Sequence, residues 1–389
     1  MERIYMDYGA STPVDKEVIE EMIPYFDKFY GNPSSIHSFG REAFDAVEES
    51  RTKVADMICA KEDEIVFTSG GTESDNLAIK GIAFRNKKKK DNKSTHIITS
   101  AIEHPGVLST CKYMEQIGFN VKYLPVDKNG LIDIGELEDA ISKDTFLITI
   151  MFANNEIGTI EPIEKIGKIA KEHDVIFHTD AVQAVGKIPI DVNKLNIDLL
   201  ALSSHKIYGP KGVGVLYVRN GVKLQTITHG GGHEKGLRSS TYNTPGIVGL
   251  GKACELGKTR LKEDVDHLNN LRDMLINEVL KMEESYLNGH PEKRLANNAH
   301  FRFTAIEGES LGLMLDDKGI ATATGSACSS KKLQTSHVLL AIGLKPEEAN
   351  GSLRLTLGRM NTKEDTEYVV EVLPEIVQNL RNMSPLWNR

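Results

Sequence analysis

DLLALSSHKIYGPKGVGVLYV, residues 198–218, decides how the rest of the chain reads. An apolar run, Leu199 to Leu202, delivers Ser203, His205 and Lys206 into a turn built on Gly209 and Pro210, and GVGVLYV is a second apolar, β-branched run. Neither run alternates strictly between apolar and polar, so both predict strands buried on two faces. Working outward, five more runs share this texture: EIVFTS (64–69), THIITS (95–100), NVKYLPV (120–126), TFLITIMFA (145–153) and DVIFHTD (174–180). Amphipathic stretches between them predict helices at 72–85, 105–117, 135–142 and 162–173. Seven strands with helical crossovers give an α/β fold around a mostly parallel sheet.

After about residue 258 the texture changes. A charged helical stretch is expected at 260–283, short strands near 299–305 and 352–357, and a last helix near 362–381. This divides the chain into a large domain, 13–258, and a smaller α+β domain made of 1–12 and 259–389. The glycine-rich stretch 230–236 and the polar stretch 329–336 are the expected mobile loops, and the lysine run 87–90 reads as a solvated loop.

At 389 residues with 40% hydrophobic composition and 13 prolines, the chain can bury a sizeable core. A net charge of −8 gives no sign of a nucleic-acid or cationic membrane-surface binder. The opening MERIYMDYGA has no basic stretch leading into an apolar run, and no long apolar segment follows, so a soluble cytoplasmic protein is expected. The four cysteines form no C-x-x-C pair, which fits a reducing compartment. Cys59, Cys111 and Cys254 are expected as small buried hydrophobes in helix-like sequence. The 12 histidines show no ligand spacing, and no dedicated metal site is expected.

Three elements carry chemistry. In EIVFTSGGTESDNL (64–77) a strand runs through Gly70, Gly71 and Thr72 into a helix, offering free N–H groups and a positive dipole end to an anion. Read alone, the same residues are also an ordinary capped turn. In DVIFHTDAVQAVG (174–186), Asp180 ends a buried strand where open α/β sheets bind ligands, and Gln183 follows; Asp180 could equally cap the next segment. Lys206, at the mouth of its apolar strand, can be desolvated into a nucleophilic amine able to form a Schiff base, with Ser203 and His205 alongside as phosphate donors.

The order of these pieces resembles the class V aminotransferases, pyridoxal-5′-phosphate (PLP) enzymes of fold type I, and within them the cysteine desulfurases of the NifS/IscS type. The resemblance covers essentially the whole chain: MDYGASTPVD (6–15), GNPSSIHSFGREA (31–43), FTSGGTESDN (67–76), EHP (103–105), ANNEIGT (153–159), HTDAVQAVGK (178–187), SSHKIYGPKG (203–212), GGGHEKGLRSST (230–241), GSACSS (325–330) and SLRLTLGR (352–359).

This resemblance implies that Lys206 carries PLP as an internal aldimine and then moves protons at the substrate. It implies that Asp180 pairs with the ring nitrogen, Gln183 with the phenolic oxygen, and that His104 stacks on the ring and acts as an acid–base group. The phosphate is expected on Gly71, Thr72, Ser203, His205 and Thr241, with Thr241 contributed across a homodimer interface. Asn155 and Arg354 are expected to hold the amino acid, since the planar guanidinium suits a carboxylate. Cys328, in a loop at about 325–337, is expected to take sulfur from L-cysteine as a persulfide, leave L-alanine, and deliver the sulfur to an iron–sulfur scaffold protein. A transient role for Cys328 as an iron–sulfur ligand stays open, as does selenocysteine lyase or another class V reaction as the alternative activity. The chain departs from the family pattern at His233, Ser240 and Tyr8-Gly9, none of them in the expected catalytic set.

Overall fold

The computed structural model describes residues 3–87, 95–324 and 335–387. In chain order its elements are β1 (Ile4–Tyr5), α1 (Lys16–Met22), α2 (Pro24–Asp27), α3 (Ser38–Met57), β2 (Ile65–Thr68), α4 (Gly71–Lys87), β3 (His96–Ser100), α5 (Pro105–Gln116), β4 (Asn120–Leu124), α6 (Ile134–Ala140) and β5 (Thr145–Thr149). There follow α7 (Ile163–Glu172), β6 (Ile176–Asp180), β7 (Leu199–Ser203), β8 (Gly214–Val218), α8 (Thr244–Val279), β9 (Ser285–Leu287), β10 (Asn298–Phe303), α9 (Gly308–Asp317), β11 (Ile320–Ala321), α10 (His337–Ala341), α11 (Pro346–Asn350), β12 (Ser352–Thr356) and α12 (Lys363–Met383).

All seven expected strands form one sheet in the order β2-β8-β7-β6-β5-β3-β4. Five of them pair in parallel, while β8 runs antiparallel to both β2 and β7. The two-residue period sends Ile65, Phe67, Ile148, Leu200, Val215 and Tyr217 into one apolar layer and Val66, Leu147, Leu199 and Leu216 into the other. Helices cover both layers, which is why these strands read as unbroken apolar runs. Because the central strands are parallel, Ser100, Thr149, Asp180 and Ser203 all end at one edge, where a ligand crevice forms.

The second hydrophobic cluster gathers Met6 with Leu268, Leu271 and Leu275 of α8, Phe301 and Phe303 of β10, Leu353 and Leu355 of β12, and Val369 and Leu373 of α12. There β9, β10 and β12 form an antiparallel sheet, and β1 pairs with β11.

Three expectations need correction. The long helix starts at Thr244 rather than near 260. Four glycines disguised its first turns, yet they are there for close packing: a Cβ on Gly251 would lie 2.7 Å from the Ser50 side chain of α3, and one on Gly249 would lie 2.5 Å from Met22 Sδ. The stretch 230–236 is not a free loop, because Glu234 is buried and binds both Arg51 guanidinium nitrogens at 2.9 Å and the Phe67 N–H at 2.7 Å. Cys59 is exposed at φ 57°, in the turn that leaves α3, whereas Cys111 and Cys254 are buried as expected. Among the described residues no helix is long and apolar enough to cross a membrane.

Glu161 is 3% exposed; its Oε2 accepts the Ile132 N–H at 3.2 Å and its Oε1 has no hydrogen-bond partner. Burial pushes this carboxyl up from 4.5 to about 8. The folded chain therefore holds its proton more tightly than the unfolded chain, so the stabilisation is complete below the unfolded value and is lost as pH rises toward 8. Glu161→Gln removes the titration. Its advantage in urea unfolding over the unmodified protein should grow by about 3 kcal/mol between pH 5 and pH 8; an equal difference at both pH values would contradict this.

Candidate active site

Lys206 lies in the short 3-10 turn Ser204–Lys206 that caps β7. Its Nζ donates to the carbonyls of Gly9, at 2.5 Å, and Ala10, at 2.8 Å. Gln183 Nε2 donates to the same Gly9 carbonyl at 2.9 Å. The N-terminal MDYGAS segment therefore forms one wall of the site, a role the sequence reading did not assign to it.

Asp180, at the end of β6, is fixed by the Val182 N–H on Oδ1 at 2.9 Å. Asp75, His104 and Asp180 each bring one polar atom within 4.8 Å of the others. Burial raises the Asp180 carboxyl, and His104 and Lys206 oppose that rise. Burial likewise pushes Asp75 well above the carboxylate range, with Asp180 and Glu103 adding to it. Two carboxylates sharing one dry space cannot both ionise cheaply, and Asp180 is the one whose rise Lys206 opposes. Asp75 Oδ1 instead faces His178 Nε2 at 3.6 Å, and neither atom has a hydrogen-bond partner. Burial holds His178 down at about 3, so that ring is neutral.

His104 precedes α5, and its Nδ1 accepts the Gly106 N–H at 3.0 Å, so in the neutral ring the proton sits on Nε2. Burial first and the Lys206 charge second lower its pKa, while Asp180 opposes them. A neutral imidazole suits a group that must both stack and exchange protons.

Next to Lys206 in the chain, His205 lines a cavity of about 410 Å³ together with Ala10, Ser11, Ser69, Gly70, Gly71, Thr72, Glu73, Ser203 and Lys211. The α4 N-terminus opens onto it. Gly71 is required there, because a Cβ would come 2.6 Å from Val182 Cγ2. Glu73 also lines this cavity and is paired: burial would raise its carboxyl, but Arg238 at 2.8 Å and the Ser69 N–H at 2.7 Å bring it below the ordinary value. His205 is held down to about 4 by burial and by Lys206, Lys211 and Lys187, so it meets an anion as a neutral donor. An anion cradle, an amine at a strand mouth and an acid at the next strand's end suit a phosphorylated pyridine aldehyde such as PLP.

Arg354 is 4% exposed; Nη2 pairs with Asp7 at 2.9 Å, Nη1 donates to the Asn155 carbonyl at 3.1 Å, and Nε has no partner. The structure thus brings Arg354 to Asn155. Thr241 is exposed and is not among the residues lining its own chain's cavity. His233 leans on Tyr242 and Ser34. Cys328 lies outside the described residues.

Two buried groups escaped the sequence reading. Asp75 stands three residues after Thr72 on α4, a helical spacing that puts both on one face. Lys187 donates to the backbone carbonyls of Gln183 at 3.2 Å and Lys206 at 3.4 Å, and burial then the Lys206 charge lower it to about 7.

The class-V aminotransferase family profile matches residues 4–369. A protein of Methanosarcina thermophila described as cysteine desulfurase IscS is 58% identical over 98% of this chain and 94% of its own length. One of Archaeoglobus fulgidus, cysteine desulfurase IscS 1, is 52% identical over 99% of this chain and all of its own. Among solved structures, a NifS-like protein superimposes with a TM-score of 0.91 at 41% identity, covering 97% of this chain and 100% of that one. SspA in complex with cysteine gives 0.82 at 41% identity, covering 92% of this chain and 100% of that one.

Proposed function

The chain belongs to the class-V aminotransferase family, among its cysteine desulfurases of the NifS/IscS type, and on that premise we propose that its described site binds PLP on Lys206 and works on L-cysteine. The observation that carries this reading is the convergence of Lys206, Asp180 and His104 beside the anion cavity. When bound, the cofactor supplies an electron sink for cleavage at the substrate carbons.

The chain's own residues do the rest. Gly71, Thr72, Ser203 and His205 would hold the phosphate, Asp180 would pair with the ring nitrogen, and Gln183 would bond the phenolic oxygen. Asn155 and Arg354 orient the amino acid, with the free Arg354 Nε offered to its carboxylate. Lys206 and His104 hold and deliver protons at the substrate. The Cys328 thiolate attacks the substrate sulfur, the C–S bond breaks with its electron pair left on carbon, and a proton on that carbon completes alanine. Cys328 is then a persulfide that an iron–sulfur scaffold protein can accept.

Chain connectivity supports that role for Cys328. Ala323 is bonded in both directions to Arg354. Cys328 follows Ala323 by five residues in the sequence. A homodimer fits the exposed apolar side chains between residues 23 and 44, where Phe26 is 66% and Ile36 91% exposed, and the exposed Thr241 is then free to serve the partner subunit's phosphate site.

The test is production of alanine and sulfide from L-cysteine and a reductant by the yellow, dimer-sized fraction. One alanine per sulfide is expected. A yellow protein inert toward cysteine would move the activity to another amino acid, and activity confined to a monomer-sized fraction would remove the cross-subunit role of Thr241.

A further inference from the structure

Arg354, the cation read above as the partner of the amino-acid carboxylate, is held from several sides. Its backbone lies in the middle of β12 opposite His300 of β10, and it exchanges bonds with Ala323 at 2.7 and 3.3 Å. Its side chain donates from Nη1 to the Asn155 carbonyl at 3.1 Å and from Nη2 to Asp7 Oδ1 at 2.9 Å. Two of the five guanidinium N–H donors are thereby used, and Nε has no partner among the described residues. The remaining donors are those that a second carboxylate can take.

Glu156 lies near this cation but is bonded elsewhere. Its Oε2 accepts the Ser336 hydroxyl at 2.5 Å, and burial pushes the carboxyl up to about 7 against the pull of that hydroxyl and of Arg354. Asp7 is the acid in direct contact, with its side chain 19% exposed against 5% for Arg354. In surroundings this dry a charged hydrogen bond is strong and its geometry narrow.

The segment that carries Asp7 gives the contact its meaning. Thr356 of β12 donates its N–H to the Met6 carbonyl at 2.8 Å and accepts the Tyr8 N–H at 3.2 Å, and its Oγ1 accepts the Gly9 N–H at 2.8 Å. The Asp7 carbonyl then accepts the Ala10 N–H at 3.0 Å, which closes a turn. On the other side of that turn the Gly9 carbonyl accepts both Lys206 Nζ and Gln183 Nε2, and the Ala10 carbonyl accepts Lys206 Nζ as well. Within four residues, 7–10, the chain grips Arg354 by a side chain and Lys206 and Gln183 by its backbone. Two residues of chain span at most about 7 Å, so the Arg354 contact and the Lys206 contact cannot drift apart.

We propose that Asp7 is a positioning residue for the amino-acid carboxylate: it holds the Arg354 fork in one orientation, at an offset from Lys206 that the segment 7–10 sets. This inference rests on the reading of Arg354 as the carboxylate's partner. Asp7 acts through Arg354. Its negative charge offsets part of the Arg354 charge, so its contribution is orientation rather than attraction. A planar fork already set by one acid loses less freedom when it takes a second.

The measurement is a titration of the visible spectrum of the PLP-loaded protein with L-alanine, the product proposed above, and with ethylamine, which is alanine without its carboxylate. Asp7→Ala should weaken L-alanine binding about 10-fold, leave ethylamine binding unchanged and stay as yellow as the parent. Asp7→Asn keeps an oxygen for Nη2 and should bind L-alanine within about threefold of the parent. In turnover, KM for L-cysteine should rise in Asp7→Ala while kcat stays within about twofold. Parental L-alanine binding in Asp7→Ala overturns the proposal. So does an equal loss for both amines, which would make the contact a support for the segment 7–10 alone. Parental L-alanine binding by Arg354→Ala overturns the underlying reading instead, and it is distinguishable because Asp7 is intact there.

Discussion

Lys206→Ala should leave a folded protein that no longer shows the visible absorption of a covalently held cofactor and forms alanine from cysteine at least about 10³-fold more slowly. The amine does three things that alanine cannot. It bonds the Gly9 and Ala10 carbonyls and so ties the N-terminal wall to the end of β7. Its charge helps keep His104 and His205 neutral, and it opposes the rise in the Asp180 pKa that burial causes. Among the described residues it is also the lysine placed at the mouth of an apolar strand beside that acid. Lys206→Arg should not rescue, because a guanidinium does not give up its proton and cannot act as an amine nucleophile. The strands beneath are secured by Leu199, Leu200 and Leu202, all fully or almost fully buried, so the melting temperature should stay within a few degrees. A Lys206→Ala protein with a tenth of the parental rate would remove Lys206 from the chemistry.

What was legible in the sequence was mostly local. Six of the seven strands stood out because both of their faces are largely buried, whereas the edge strand β4 is mostly exposed or half-buried; Asp180, Ser203, His205 and Lys206 stood out because parallel strands end on one side. The antiparallel direction of β8 was not legible, because a buried strand carries the same apolar run whichever way it points. The first turns of α8 were hidden by glycines that bring α8 close to Met22 and to Ser50 of α3 rather than break the helix. The 230–236 stretch looked free because its anchor, Arg51, lies 183 residues before Glu234.

The missed parts of the site share that cause. Lys206 meets Gly9 across 197 residues, and Ser336 meets Glu156 across 180. No spacing rule reaches that far. Asp75 could have been found from its helical offset to Thr72, but its raised pKa depends on Asp180 and Glu103, which only the fold brings near. In this dry space Lys206 opposes the rise that burial causes at Asp180, whereas Asp75 sits against a neutral histidine.

Cys328→Ala separates cofactor chemistry from sulfur chemistry. The proposed phosphate and ring contacts lie in 9–241, and Arg354 pairs with Asp7 and the Asn155 carbonyl, so none of these contacts among the described residues involves residue 328. The variant should be as yellow as the parent and show the same spectral response to cysteine, yet release alanine and sulfide at least about 10²-fold more slowly, since an activated nucleophile has been removed while its electron sink remains. Cys59, the exposed thiol, is no substitute, because it follows α3 and lies against Asn193, away from the strand ends that build the site. Cys111 and Cys254 are buried, and burial pushes both thiols up to about 12, so neither supplies a thiolate near neutrality. Labelled sulfur should consequently appear on the parent protein after one turnover and pass from it to a purified iron–sulfur scaffold, and it should be absent from Cys328→Ala. Label retained by the variant would place the acceptor on another residue and leave Cys328 without the role proposed for it.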